Sequence, residues 1–274
     1  MTGELLLTGV SLSIGKFQIL QDVDVSVEPG SLHALVGPNG AGKTSLLNCI
    51  SGFYRPTSGQ ITLDGRRLDL LRPDQVARAG IGRVFQNVEL FRSSTVLENL
   101  MLGRHRLMTS TIVTDMLRLP RTRREEVAQR RHVEELIDFL DLEEYRYAVT
   151  AELPYGVQKR VELGRALAME PTCLLLDEPV AGMNPEEKED MARYILEIRR
   201  TRDVSIVMID HDMRFVMDLA STVSVLNFGR LLTAGSPDQV MHHPQVIEAY
   251  LGTVAAQAGR PPEQAVPDGQ AVVG

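Results

Sequence analysis

Residues 37–44 read GPNGAGKT and fit the phosphate-binding loop pattern GxxxxGK[ST] without a mismatch. Glycines let backbone N–H groups converge on phosphate oxygens, a lysine reaches the β- and γ-phosphates, and a final hydroxyl ligates Mg²⁺. The apolar run before the loop predicts a strand, and the residues after it predict a helix that presents its positive end to the same anion. The loop therefore predicts a site for a nucleoside triphosphate and Mg²⁺, with the binding residues Gly37, Pro38, Asn39, Gly40, Ala41, Gly42, Lys43, Thr44 and Ser45.

Two carboxylates follow the apolar run 174–176, and one histidine follows the apolar run 204–209. Asp177 is placed to hold Mg²⁺ through its water shell, together with Thr44. Glu178 is placed to polarise the attacking water as a general base. His211 lies between Asp210 and Asp212, acids that we expect to orient its ring, and a contact with the γ-phosphate fits this position.

The elements that must position these residues are visible in the hydrophobic pattern. Short β-type runs occupy residues 4–27, a hairpin arm occupies 60–63, and a further strand is predicted at 81–85, with Gln86 at its end. The stretch 88–165 is helical in pattern, and Val133, Leu136, Ile137 and Leu140 mark one helix face. Strands and helices then alternate, which predicts an α/β chain with a mostly parallel sheet covered by helices.

Composition narrows the classes of protein. The 274 residues are 43% hydrophobic, enough for a large core, and the formal charge of −7 argues against broad binding to nucleic acid. Cys49 and Cys173 lie in apolar stretches without metal spacing, so we expect reduced core residues of a cytosolic protein. Neither a signal peptide nor an apolar run of membrane-spanning length is visible, so a membrane role requires a partner.

The order of the motifs resembles that of the ATP-binding cassette family. The phosphate loop, Gln86, residues 153–160 (LPYGVQKR), Asp177 with Glu178, residues 181–184 (AGMN) and His211 match its Walker A, Q-loop, signature, Walker B, D-loop and switch-histidine motifs. The resemblance covers about residues 4–252. Residues 37–49, 176–185 and 244–252 look like the ATPases of hydrophobic (branched-chain) amino-acid importers, particularly the larger of their two cassette subunits.

The resemblance implies an architecture and its boundaries. It implies a P-loop NTPase (RecA-like) core with a mostly parallel sheet and an N-terminal antiparallel β subdomain, at residues 1–87 and 166–252. A helical signature subdomain is inserted at 88–165. Residues 253–274 lack the periodicity needed to pack, so we expect a disordered tail.

The resemblance also implies partners and further site residues. Two cassettes would face each other with ATP between the Walker A loop of one and the signature helix of the other, so Tyr155, Gly156 and Gln158 would contact nucleotide. Gln86 would act in catalysis and ligate Mg²⁺, and its loop would transmit closure to membrane permeases, which serve a solute-binding protein. The position of the adenine-stacking aromatic holds Ile14, and Phe17 is a possible substitute.

Pro154 stands where the family's signature motif has serine, which removes a hydroxyl donor to the γ-phosphate. A second cassette with an intact serine would restore one of the two sites. We therefore expect a heterodimer with another cassette subunit rather than a homodimer.

Three alternatives remain at this point. A lipopolysaccharide-export cassette shares much of the pattern. A soluble cassette ATPase acting on DNA or ribosomes is disfavoured by the single phosphate loop and the acidic charge. A P-loop kinase or GTPase does not explain residues 153–160, and the chain has no Asn-Lys-x-Asp element for guanine.

Overall fold

The computed structural model describes residues 3–104 and 120–249, and within them the side chains of all but residues 120–126. One layer is a four-stranded antiparallel sheet. Its order is β2-β1-β4-β5, comprising β1 (Leu5–Ile14), β2 (Phe17–Val27), β4 (Ser58–Leu63) and β5 (Arg66–Arg67). One face of this sheet is buried against the helix that follows the phosphate loop. The strands lie where the β-type runs and the hairpin arm were predicted.

The second layer is a six-stranded sheet of order β10-β9-β3-β8-β7-β6, in which only the edge strand β10 is antiparallel to its neighbour. Its strands β3, β7 and β8 are buried at every residue, as expected for parallel strands covered on both faces. Their bounds are β3 (Leu32–Val36), β6 (Ile81–Val84), β7 (Cys173–Asp177), β8 (Ser205–Ile209), β9 (Thr222–Asn227) and β10 (Arg230–Gly235).

The helices follow the sequence signals closely. Asn184 caps the N-terminus of a helix through a reciprocal contact with Glu187. The predicted face Val133, Leu136, Ile137 and Leu140 is fully buried, although Leu140 lies just beyond the end of its helix. The bounds are α1 (Lys43–Ile50), α2 (Pro73–Ala79), α3 (Val96–Arg104), α4 (Pro120–Phe139), α5 (Tyr155–Ala168), α6 (Pro185–Thr201), α7 (Met213–Leu219) and α8 (Pro237–Met241).

The α/β fold class with a mainly parallel sheet, an antiparallel sheet and added helices is confirmed. Cys49 and Cys173 are free and buried, as predicted. Among the described residues we find no helix long and apolar enough to cross a membrane. The predicted tail 253–274 lies outside the described residues, and the subdomain boundaries stay a prediction.

Candidate functional site: a nucleotide cleft at the edge of the parallel sheet

An open cavity of about 660 Å³ lies at the carboxyl edge of the parallel sheet. Because the carboxyl ends of parallel strands meet at one edge, the loops after β3, β6, β7 and β8 converge there. This nucleotide cleft is lined by Ile19, Asn39, Gly40, Ala41, Gly42, Lys43, Thr44, Ser45, Gln86, Glu178 and His211. The cavity has the size of a small-molecule site and gathers residues that the sequence scatters over most of the chain.

Glycine is required at two positions of the phosphate loop. Gly37 has φ of 148°, and a Cβ there would overlap the carbonyl oxygen of Leu226. Gly42 has φ of 101°, and a Cβ there would lie 2.8 Å from the Leu20 side chain. The loop thus packs against its neighbours on one side, and residues 39–45 line the cleft on the other.

Lys43 begins α1 and is nearly buried at the base of the loop. Its Nζ donates to the carbonyl oxygens of Gly37 and Pro38, at 2.7 and 3.0 Å. Burial lowers the pKa of the Lys43 ammonium, while the nearby Glu178 and Asp177 carboxylates act in the opposite direction. The side chain is therefore held against its own loop, at the place where phosphate oxygens can compete for its protons.

Glu178 is held by two side chains from two different loops. His211 Nε2 lies 2.9 Å from Glu178 Oε1, and Gln86 Nε2 donates to Oε2 at 2.9 Å. The residue has φ of 52°, a left-handed conformation that costs a non-glycine residue about 1–3 kcal/mol. Strain of this kind persists where the surroundings fix a side chain, and here they fix a carboxylate at the mouth of the cleft.

The partner of His211 differs from the sequence expectation, which gave that role to its flanking acids. Asp212 pairs with Lys188 at 2.7 Å, and Asp210 accepts a hydrogen bond from the Asp212 backbone N–H. The ring instead contacts Glu178. The prediction was wrong on this point because the loop after β8 faces the loop after β7.

Asp177 ends β7 beneath the cleft and is almost fully buried. Its Oδ2 accepts a hydrogen bond of 2.9 Å from Arg83, and Oδ1 is buried with no hydrogen-bond partner among the described residues. Burial raises the pKa of the Asp177 carboxyl, and Arg83 opposes that shift. A buried carboxylate oxygen without a partner is costly by itself, and it suits a water ligated to Mg²⁺.

The signature residues lie at the start of α5. Pro154 is the residue before its first turn, and Gln158 Nε2 donates to the Leu153 carbonyl at 2.8 Å. Tyr155 is half-exposed, and Gly156 packs against the side chain of Glu187. None of these residues lines the nucleotide cleft of this chain, so their nucleotide contacts stay a prediction for a facing cassette.

Sequence reasoning gave no role to a buried ion pair on the same helix. Lys159 and Glu162 are fully buried, and Lys159 Nζ donates to the backbone carbonyls of Phe85 and Gln86, at 2.7 and 2.8 Å. Glu162 Oε1 accepts from the backbone N–H of Phe85 at 3.3 Å. Helix α5 therefore grips the loop that carries Gln86.

The expected adenine contacts lie at the tip of the β1–β2 hairpin. Ile14 is paired with Phe17, and their exposed fractions are 46% and 77%. Neither residue lines the cleft, whereas Ile19 on β2 does. An adenine contact by Ile14 or Phe17 stays a prediction, and Ile19 is an apolar contact that sequence reasoning missed.

Sequence models of two families match the chain. The model described as ABC transporter matches residues 20–181, more than half of the chain. The model described as branched-chain amino acid ATP-binding cassette transporter matches residues 230–256.

The chain is also similar to individual transport ATP-binding proteins and to solved ATP-binding cassettes. The chain is 37% identical over 245 residues to the high-affinity branched-chain amino acid transport ATP-binding protein BraF of Pseudomonas aeruginosa, covering 89% of this chain and 96% of that protein. It is also 37% identical to the high-affinity branched-chain amino acid transport ATP-binding protein LivG of Escherichia coli, covering 90% of this chain and 97% of that protein. Among solved structures, the ADP conformation of an ATP-binding cassette of an ABC transporter superposes with a TM-score of 0.79 at 27% identity, over 92% of this chain and all of that one.

Proposed function

The chain belongs to the ABC transporter family, whose ATPases couple ATP hydrolysis to transport, and we propose that it powers import of branched-chain amino acids. The observation that carries the ATPase role is Glu178, which His211 and Gln86 hold at the mouth of a cleft lined by the phosphate loop. The names of the relatives support the solute class, and the matches cover 96% and 97% of their length.

The phosphate loop supplies binding and charge neutralisation. Backbone N–H groups of the phosphate loop, which lines the cleft, would surround the β- and γ-phosphates, and Lys43 would exchange its carbonyl contacts for phosphate oxygens. Thr44, Gln86 and Asp177 would hold Mg²⁺, which neutralises developing charge on the phosphates when bound.

Glu178 supplies the base. With its carboxylate oriented, it accepts the proton of a water that attacks the γ-phosphorus. His211 contacts the other oxygen of the same carboxylate, and its ring also lines the cleft, where it can contact the γ-phosphate. Gln86 connects the Glu178 carboxylate to the loop after β6, which Lys159 on α5 holds.

A surface suited to a permease lies beside the loop that carries Gln86. An apolar groove of about 330 Å³ runs between the strand β6 region and the helices α3 and α5. Phe53, Phe91 and Leu102 in its wall are about half exposed, and Arg165 supplies a charge. We assign this apolar groove to a short helix of a permease, which would keep the chain at the cytoplasmic face of the membrane with a second cassette subunit and, indirectly, a solute-binding protein.

Reconstitution tests the transport proposal. The chain is assembled with its candidate permeases and companion cassette in vesicles, and uptake of labelled leucine is followed with the solute-binding protein present. We expect ATP-dependent uptake that Glu178→Gln abolishes. The matched control Glu186→Gln alters an exposed acid at the start of α6 and should leave uptake intact. ATP hydrolysis without any amino-acid uptake, or extrusion of a lipid substrate, would contradict the importer assignment.

A further inference from the structure

Arg83 on β6 lies between the nucleotide cleft and the apolar groove. Its side chain is only 8% exposed. Nη2 donates to Asp177 Oδ2 at 2.9 Å, and Nη1 donates to Asn48 Oδ1 at 2.7 Å and Ser51 Oγ at 2.8 Å. Asn48 belongs to α1 and Ser51 follows its last residue, so one guanidinium joins the helix of the phosphate loop to the carboxylate at the end of β7.

The same guanidinium forms part of the groove wall. Its central carbon lies 4.6 Å from the ring centre of Phe85 and 5.7 Å from that of Phe53. These two rings meet edge to face, with centres 6.0 Å apart. Phe53, Arg83 and Phe85 all line the apolar groove. Both rings therefore lie against the guanidinium that holds Asp177.

The geometry selects one oxygen of the carboxylate. Arg83 occupies Oδ2, while Oδ1 stays buried and has no hydrogen-bond partner in the part of the chain that the structure describes. A planar guanidinium with fixed donor directions can satisfy three acceptors at once, which a lysine ammonium on a flexible stem cannot do with the same orientation. We propose that Arg83 is a positioning residue that fixes Asp177 with Oδ1 free for the Mg²⁺ shell and links this carboxylate to the wall of the apolar groove. Because we place the permease in that groove, the second part rests on the proposed function.

A purely structural role for Arg83 makes a different prediction. If Arg83 only stabilised the fold, its loss would lower nucleotide binding with and without Mg²⁺ alike. A positioning role changes only the part of the affinity that depends on the metal. The informative quantity is therefore the ratio of ATP dissociation constants measured in EDTA and in Mg²⁺.

The experiment uses the full chain with Glu178→Gln, so that ATP is not consumed, and titrates ATP by calorimetry. Adding Arg83→Gln should reduce the gain in affinity from Mg²⁺ by about tenfold, the scale of one hydrogen bond to a charged group. ATP affinity in EDTA should stay within about twofold, because metal-free phosphate binding rests on the loop and Lys43. An unchanged Mg²⁺ gain, or an equal fall in both affinities, overturns the positioning role.

Milder variants keep the test valid if Arg83→Gln does not fold. Asn48→Ala removes one anchor of Arg83 without touching Asp177, and it should reduce the Mg²⁺ gain by about threefold. Phe53→Leu should do the same by removing a ring beside the guanidinium. The matched control Leu102→Ala changes the same groove and should leave the gain unchanged. If Phe53→Leu and Leu102→Ala have the same Mg²⁺ gain, the link to the groove is overturned. If the Arg83 variants change the Mg²⁺ gain as expected but the reconstituted chain takes up no leucine, only the transport proposal fails.

Discussion

Gln86 Nε2 donates a hydrogen bond of 2.9 Å to Oε2 of Glu178, across 92 residues of sequence. The two residues follow the neighbouring parallel strands β6 and β7. The backbone of Gln86 is in turn held by Lys159 on α5. Helix α5 is therefore linked to the Glu178 carboxylate through Gln86, which makes one hydrogen bond to Lys159 and one to Glu178. Movement of the helical segment relative to the sheet would change the environment of Glu178 directly.

Lys43→Ala should lower MgATP affinity together with turnover. The substitution removes the cation that neutralises the β- and γ-phosphates, and a hydrogen bond to a charged group is worth about 1.5–3 kcal/mol. We expect a loss of affinity of about tenfold or more by calorimetry. Circular dichroism checks the fold, because Lys43 also donates to Gly37 and Pro38. Unchanged MgATP affinity in a folded variant would refute the role of Lys43.

The nucleotide base should be recognised weakly. Ile14 stands at the predicted adenine position, and an aliphatic side chain offers contact area without ring stacking. GTP should therefore support hydrolysis within about an order of magnitude of ATP, a difference of about 1.4 kcal/mol. Ile14→Tyr should increase the preference for ATP. If the unmodified chain already prefers ATP by more than about a hundredfold, Phe17 or another ring contacts the base.

Much of the site was predictable because parallel strands bring their carboxyl ends to one edge. Once the apolar runs were assigned to strands, the phosphate loop, Gln86, Glu178 and His211 had to lie close together. Their mutual hydrogen bonds were not predictable, because they depend on how the loops face one another.

The buried charges were hidden for a different reason. Lys159 and Glu162 have the spacing of a surface pair on a helix, and only the tertiary packing of α5 against the Gln86 loop buries them. Arg83 is one polar residue in an apolar strand, and its three acceptors come from other parts of the chain. No local pattern identifies such partners.

Pro154 predicts two unequal sites. Proline suits the start of α5, because the N–H groups there have no partner within the helix. It offers no hydroxyl to a γ-phosphate, so a site that uses it should be slower by about one to two decades. We expect a heterodimer with a second cassette, and the isolated chain should be a weak, mostly monomeric ATPase.

Pro154→Ser tests this asymmetry in steady-state assays at saturating ATP and high protein concentration. The variant should hydrolyse ATP faster than the unmodified chain. If it does not, and the unmodified chain alone turns over at several per second, the asymmetric assembly is wrong.

His33 should make the fold sensitive to acid. It is buried on β3 with Nε2 2.9 Å from Ser224 Oγ, and burial lowers its pKa to about 4. The unfolded chain takes up this proton near pH 6.5, so the contribution of His33 is complete above that pH and is lost as the pH falls toward 4. Between pH 7 and pH 5 the loss is about 2 kcal/mol.

Urea unfolding of the unmodified chain and of His33→Gln isolates this effect. Acids with raised pKa, such as Asp177 and Asp210, shift stability in the opposite sense, but they do so in both proteins. The unmodified chain should lose about 2 kcal/mol more than the variant between pH 7 and pH 5. An identical pH dependence of the two proteins would show that His33 does not resist protonation.

We expect this cleft to hydrolyse ATP with Glu178 as the base, and comparing the turnover of Glu178→Gln with that of the unmodified chain tests this most directly. The variant replaces the proton acceptor with an amide of the same shape. Turnover should fall by about 10²–10⁴-fold while MgATP affinity is retained. Gel filtration with MgATP should then show a trapped dimer that is absent without nucleotide. Near-normal hydrolysis by Glu178→Gln would contradict the assignment and require another base.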